Sequence, residues 1–270
     1  MMDAIQEIIA KRQEWVDIKR REGVEGVFRA TALALPMPPS LHDALLVPRA
    51  DRPVIAQLCA KTICAKGGDA KTFTRLIERL TQAGVSAFMV SVGDCCDASG
   101  FGDILAAAQT THLPIICKDV VLDPLQVTLA RAHGAAAVVL SPGHLSERAL
   151  KILRREASEM LLDVVFDVTR VSQVESVAKA RAVQGAADCR ILSADLFNVN
   201  AGNSARFRER FCAVVPEFTF GILPMPTQLA SAELEAWSQL ATGVLLVDAS
   251  VPDISVAEER VSIVAGSVRV

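Results

Sequence analysis

With 270 residues, 51% of them hydrophobic, the chain can bury one large core, and a net charge of -3 gives no bias toward nucleic acid. No apolar run reaches about 18 residues, so no membrane span is expected. The charged stretch from Met1 to Arg21 lacks an apolar signal region, which points to a cytoplasmic protein.

Seven cysteines, an odd number, fit a reducing compartment, and the absence of tyrosine removes one common general acid. Residues 3–22 place Ile5, Ile8, Ile9, Trp15 and Ile18 among charges at amphipathic-helix spacing. A proline-containing connector at 35–40 and a short helix near 41–46 follow. Residues 1–50 thus read as a helical extension that covers the bottom of the following domain or contacts a partner. Strands are then expected at 54–59, 87–92, 114–118, 136–140, 162–168, 189–193, 217–222 and 243–247. Helices are expected near 71–83, 102–110, 124–133, 146–157, 171–183, 204–214, 229–239 and 255–264. The strands are nearly continuous runs of Val, Ile and Leu, as parallel strands buried on both faces require. Gly84, Gly134 and Gly185 stand where helices should stop. Eight such pairs predict an α/β fold, a single (β/α)8 TIM barrel over 51–270. An open doubly wound sheet is disfavoured because no G-x-G-x-x-G follows the first strand.

In such a barrel, chemistry sits at the C-terminal strand ends, on side chains that alternate inward. Lys118, which ends the apolar run from Pro114, is then an inward lysine with a ligand or catalytic role. Cys59 shares its inward parity and Cys117 points to the helices. Five cysteines (59, 64, 95, 96 and 117) cluster near the upper ends of strands one to three. They form no C-x-x-C, and buried inert thiols are the expectation, with no metal and no cofactor. Of the four histidines only His144 falls on the loop face; His112 and His133 fall at the bottom and His42 in the extension.

The run Pro114-Ile115-Ile116-Cys117-Lys118-Asp119, with Asp123 and Gln126 beyond it, resembles the third strand of the indole-3-glycerol-phosphate synthases. These are decarboxylating ring-closure enzymes of tryptophan synthesis, whose pattern there is P-(V/I)-L-x-K-D-F-(I/V)-x-D-x-Y-Q. Val120 replaces the usual Phe and Leu125 the usual Tyr. The resemblance implies that Lys118 is a general acid. Asp167 in Val164-Val165-Phe166-Asp167 falls at a catalytic glutamate, one methylene shorter, and is the second catalytic candidate. Gln57 stands at another glutamate and Cys59 at a catalytic lysine. Gln57, Cys59 and Thr62 after strand one, Asp94 after strand two, Ser193 and Asp195 on strand six and Asp248 after strand eight are the substrate-binding candidates.

Much of the family's charge is replaced. Gln57 cannot act as a base. Leu192 and Ala194 stand at a substrate-binding Asn and Arg, Thr169 at a histidine and Ala98 at an aromatic. Where the family binds phosphate on glycine-containing loops, this chain has Pro224-Met225-Pro226 and Asp248-Ala249. Prolines remove backbone donors. A carboxylate about 4 Å from a phosphate would repel it by roughly 4 kcal/mol per unit pair at an effective dielectric near 20. Alternatively Asp248 points to solvent or caps the next helix. Three readings remain: a divergent lyase acting on another, non-phosphorylated small molecule; a pseudoenzyme binding a metabolite or protein; or a synthase with displaced catalytic residues. In each the mouth takes a small molecule or partner, without nucleic acid or membrane, and the chain is a monomer or homodimer.

Overall fold

The computed structural model describes residues 4–92, 99–182, 196–199, 220–224 and 243–265. The extension comprises α1 (Ala4–Arg21), α2 (Glu25–Ala34) and α3 (Leu41–Leu46). Strands and helices then alternate: β1 (Val54–Leu58), α4 (Ala60–Ala65), α5 (Ala70–Gln82), β2 (Ala87–Ser91), α6 (Ser99–Thr110), β3 (Ile115–Lys118), α7 (Pro124–Ala132) and β4 (Ala137–Leu140). After these come α8 (Glu147–Glu159), β5 (Asp163–Val168), α9 (Val171–Ala182), β6 (Leu196–Val199), β7 (Phe220–Pro224), β8 (Gly243–Asp248) and α10 (Ile254–Ala265). All neighbouring strands pair in parallel in chain order, and β8 returns to β1, so the sheet closes on itself.

Alternation along the strands divides the core in two. Ile55, Ala87, Met89, Ile116, Ala137, Val139, Val165 and Leu246 form an inner cluster inside the sheet. Val54, Phe88, Cys117, Val138 and Phe166, one residue out of phase, pack in the layer between sheet and helices. Cys117 thus faces the helices, as its parity requires. Gly84 and Gly134 both have φ of +91°, the left-handed turn that lets α5 and α7 stop before the next strand.

The extension runs from one end of the sheet to the other. Ile5 and Ile8 of α1 reach the mouth, beside Lys118. Further along α1, Trp15 stacks on Phe101 of α6 at 5.9 Å, and Phe101 and Phe28 of α2 both pack on His133. Arg29 of α2 forms ion pairs with Glu156 and Glu159 of α8. Arg131 donates to the Leu35 carbonyl at 3.2 Å and to the carbonyl of Pro36, fixing the connector. Leu41 and Leu45 of α3 then join the inner cluster and plug the floor. Ser40 caps α3, and the Leu41 N–H donates to Asp163 Oδ2 at 2.9 Å. Burial pushes the Asp163 carboxyl above its ordinary range, against the pull of the Leu41 and His42 amides.

Two helices were not foreseen. α2 occupies a stretch of the extension given no element of its own, between the first helix and the connector at 35–40, and α4 is a short turn of helix directly after β1. The strand that pairs with β5 is Leu196–Val199, with Asp167 opposite Asn198, rather than the expected 189–193, which lies outside the described residues. The helices expected at 204–214 and 229–239, and the stop at Gly185, also lie outside them.

Candidate active site at the strand ends

Inward positions at the C-terminal strand ends carry Gln57 on β1, Ser91 on β2, Lys118 on β3 and Asp167 on β5, one step above the inner apolar cluster. They surround a cavity of about 620 Å³. Of the expected site residues, Gln57, Cys59, Thr62, Lys118 and Asp167 line it together. Lys118 Nζ donates to Gln57 Oε1 at 3.1 Å. Its acceptor there is a neutral carboxamide. Asp167 is half-buried on the wall of the same cavity. An ammonium so placed can polarise a carbonyl or hold an anion, and Asp167 can accept a proton or a hydrogen bond.

Asp119, Asp123 and Gln126, the other residues that follow Lys118 in the motif, are scaffold. Asp119 Oδ1 accepts from Arg12 Nη2 at 2.6 Å and from the Val120 N–H at 2.8 Å. Its other oxygen accepts from Gln126 Nε2 at 2.9 Å. The two side chains of the Arg12–Asp119 pair are only 4% and 2% exposed, so this ion pair lies out of water immediately behind the lysine. Arg12 also stacks over the Trp15 ring, 5.2 Å from its centre. Asp123 caps α7 through the Leu125 N–H at 2.9 Å and forms a capping box with Gln126. Arg20 of α1 reaches the Asp123 carboxylate at 2.9 Å. Thus the loop that presents Lys118 is clamped between its own helix start and the extension.

The loop after β8 is built differently from the sequence reading of a charge facing a bound anion. Asp248 is exposed, and its Oδ1 accepts from the Ser250 N–H at 3.0 Å, close to the alternative of a solvent-facing turn. Buried Ser250 ties this loop to the end of β1. Its Oγ accepts from the Cys59 N–H and its carbonyl from Lys66 Nζ, both at 3.1 Å. Thr169 is exposed, and its N–H and hydroxyl engage Gln173 Oε1. Asp94, Ser193 and Asp195 lie outside the described residues. His144 does line the cavity, with Ser141.

Sequence reasoning missed four features of this cavity: Lys61 and Lys66, which line it from α4 and its C-terminus, and the apolar wall from Ile5 and Ile8. Thr62 and Lys66 are four apart, and recognising a helix there would have placed both on one face. Burial pushes the Cys117 thiol well above its ordinary range, aided by the nearby Asp119 charge. Cys59 is half-buried at the cavity and Cys64 is exposed. Among the described residues no cluster of His, Cys, Asp and Glu could hold a metal. No helix among them is long and apolar enough to cross a membrane.

Comparison with known proteins places the chain as follows. The "Indole-3-glycerol phosphate synthase" of Koribacter versatilis (strain Ellin345) is 32% identical over 136 residues, 50% of this chain and 52% of that protein. The "Tryptophan biosynthesis protein TrpCF" of Corynebacterium glutamicum is 34% identical over 122 residues, 44% of this chain and 23% of that protein. The chain spans about half the length, or less, of these curated relatives. Among solved structures, tryptophan synthase from M. tuberculosis superposes with a TM-score of 0.57 at 12% identity, covering 85% of this chain and 97% of that one. The structure titled "3-Hexulose-6-Phosphate Synthase" gives 0.55 at 13%, covering 80% and 100%. These two likenesses support the α/β barrel-like fold alone. The family model for indole-3-glycerol phosphate synthase matches residues 5–210, and the chain therefore belongs to that family.

Proposed function

We propose that this chain is a (β/α)8 member of the family whose mouth binds a small, non-phosphorylated molecule at Lys118, and whose indole-3-glycerol phosphate synthesis is very weak or lost. The observation that carries the reading is the hydrogen bond from Lys118 to Gln57. A lysine acid works in turn with a group that can take a proton, and a carboxamide cannot. Cys59 lines the same wall with a side chain that carries no fixed positive charge. The ring closure needs cations for the substrate's carboxylate. By resemblance, the lysine position is Cys59 and the arginine position is Ala194. Asp167 keeps a carboxylate but sets it one methylene back, and a displacement of about 1 Å can cost on the order of a hundredfold.

A steady-state assay with carboxyphenylamino-deoxyribulose phosphate tests the proposal. The expected outcome is turnover at or near background. Turnover comparable to an ordinary synthase would show that displaced residues restore the chemistry. Carbon dioxide release separates a lyase of changed specificity from a barrel that only binds. A divergent lyase should release carbon dioxide from some aryl- or alkyl-amino sugar acid, whereas a binding barrel releases none.

A further inference from the structure

Among the described residues that line the cavity, the ammonium groups are Lys61, Lys66 and Lys118, and the carboxylates are Asp119 and Asp167. Asp119 is already matched by Arg12 at 2.6 Å. Lys66 and Lys118 are the two lining lysines whose acceptors are defined among the described residues. Those acceptors are uncharged: the Gln57 carboxamide for Lys118 and the Ser250 carbonyl for Lys66. A neutral acceptor orients an ammonium without cancelling its field, so positive potential is left in the cavity.

Lys66 is the better positioned of the two α4-side lysines. Ser250 is 3% exposed and uses its backbone and its hydroxyl at once: N–H to Asp248, Oγ to the Cys59 N–H and carbonyl to Lys66. That knot joins the β8 loop to the start of α4 and fixes the Lys66 ammonium at the β8–β1 edge of the mouth, while Lys118 rises from β3. The cavity walls between include Ile5, Ile8, Val120 and Val139.

We infer that Lys66, held by Ser250, binds the carboxylate of an amphipathic monocarboxylate whose apolar body lies against Ile5 and Ile8 and whose far end meets Lys118. A monoanion is favoured over phosphate because the walls of the cavity are partly apolar, and stripping water from a dianion costs more than from a monoanion. The inference rests on the reading of the mouth as a small-molecule site and names the chemistry of the ligand's second end.

Titration calorimetry or chemical-shift mapping of the full chain with sodium hexanoate, 1-hexanol and inorganic phosphate tests it. Hexanoate should bind more tightly than 1-hexanol, and phosphate should be the weakest. K66M should weaken hexanoate about tenfold and leave 1-hexanol unchanged, and K66R should restore most of the loss. Salt should weaken hexanoate binding to the wild type and much less to K66M. Equal loss for hexanoate and 1-hexanol in K66M would reveal a structural role and overturn the inference, as would hexanoate binding that ignores both K66M and salt. Tight phosphate binding abolished by K66M would overturn the choice of monoanion. If neither hexanoate nor 1-hexanol binds, the small-molecule reading of the mouth fails, and this inference with it. Should K66M unfold, the salt dependence in wild type still decides.

Discussion

Replacing Arg12 by methionine keeps the apolar stem over Trp15 and removes the guanidinium from Asp119. The pair is almost wholly out of water, with N···O at 2.6 Å, so surface screening does not blunt it. Breaking a buried pair from one side costs about 3–5 kcal/mol, because the charge left behind stays desolvated. Asp119 keeps two donors, the Val120 N–H and Gln126 Nε2, which places the loss at the lower end, about 3 kcal/mol. Neutralising both partners, as in R12M/D119N, removes the stranded charge while an amide oxygen can still accept those donors. The double variant should lose only about 1 kcal/mol, since well-matched neutral replacements of buried pairs are nearly neutral. Urea unfolding of the wild type, both single variants and the double variant gives the cycle. Hydrogen exchange in α1 gives the local readout, where about 3 kcal/mol corresponds to exchange faster by on the order of a hundredfold. A single variant costing under about 1 kcal/mol, or a double variant as damaging as R12M, would refute the reasoning.

The neighbouring pair tests the opposite limit. Arg20 is half exposed, so R20A should cost less than about 1 kcal/mol, whereas D123A loses the α7 cap and should cost about 1–2 kcal/mol in the same urea experiment. Asp163 gives a pH dependence. Its folded-state pKa is raised, so the folded chain holds the proton to higher pH than the unfolded chain does. Its contribution is therefore fully present below the ordinary carboxylate pKa and lost as pH rises through the raised one. The Tm of wild type minus that of D163N should fall across that window, and a rise would contradict the assignment. Limited alkylation with iodoacetamide followed by peptide mapping should label Cys64 well before Cys117. Burial and the Asp119 charge keep the Cys117 thiol protonated, and early labelling of it in the native state would show the packing around β3 to be wrong.

The parts of this fold legible in the sequence are those written in short-range patterns. The Val/Ile/Leu runs located β1 to β5 and β8 to within a residue or two at each end, and alternation correctly sent Cys117 outward and put Lys118, Gln57 and Cys59 on one cavity. α2 escaped because Gly23, at φ +68°, breaks the pattern after α1, and α2's packing on α7 and its Arg29 ion pairs come from residues far along the chain, the ion-pair partners at Glu156 and Glu159. α4 escaped because it is six residues long and begins without a side-chain cap. Of the motif around Lys118 the sequence reading gave a role to the lysine alone, and the lysine is the member that meets Gln57 at the cavity. Asp119, Asp123 and Gln126 look inward to the scaffold, a division that depends on Arg12 and Arg20 arriving from the start of the chain. Lys66 was invisible for a related reason: its partner, the Ser250 carbonyl, is 184 residues away.

The plug at the floor sets an order of events for a chain being made on the ribosome. Leu41 and Leu45 emerge early, but the surface they fill is made by side chains from β1 to β5 and by Leu246 on β8. Most of that surface is in hand once β5 has emerged, and Leu246 completes it, so a nascent form that ends before β8 should seat the plug against a floor still open on one side, exposing apolar surface of the kind chaperones bind.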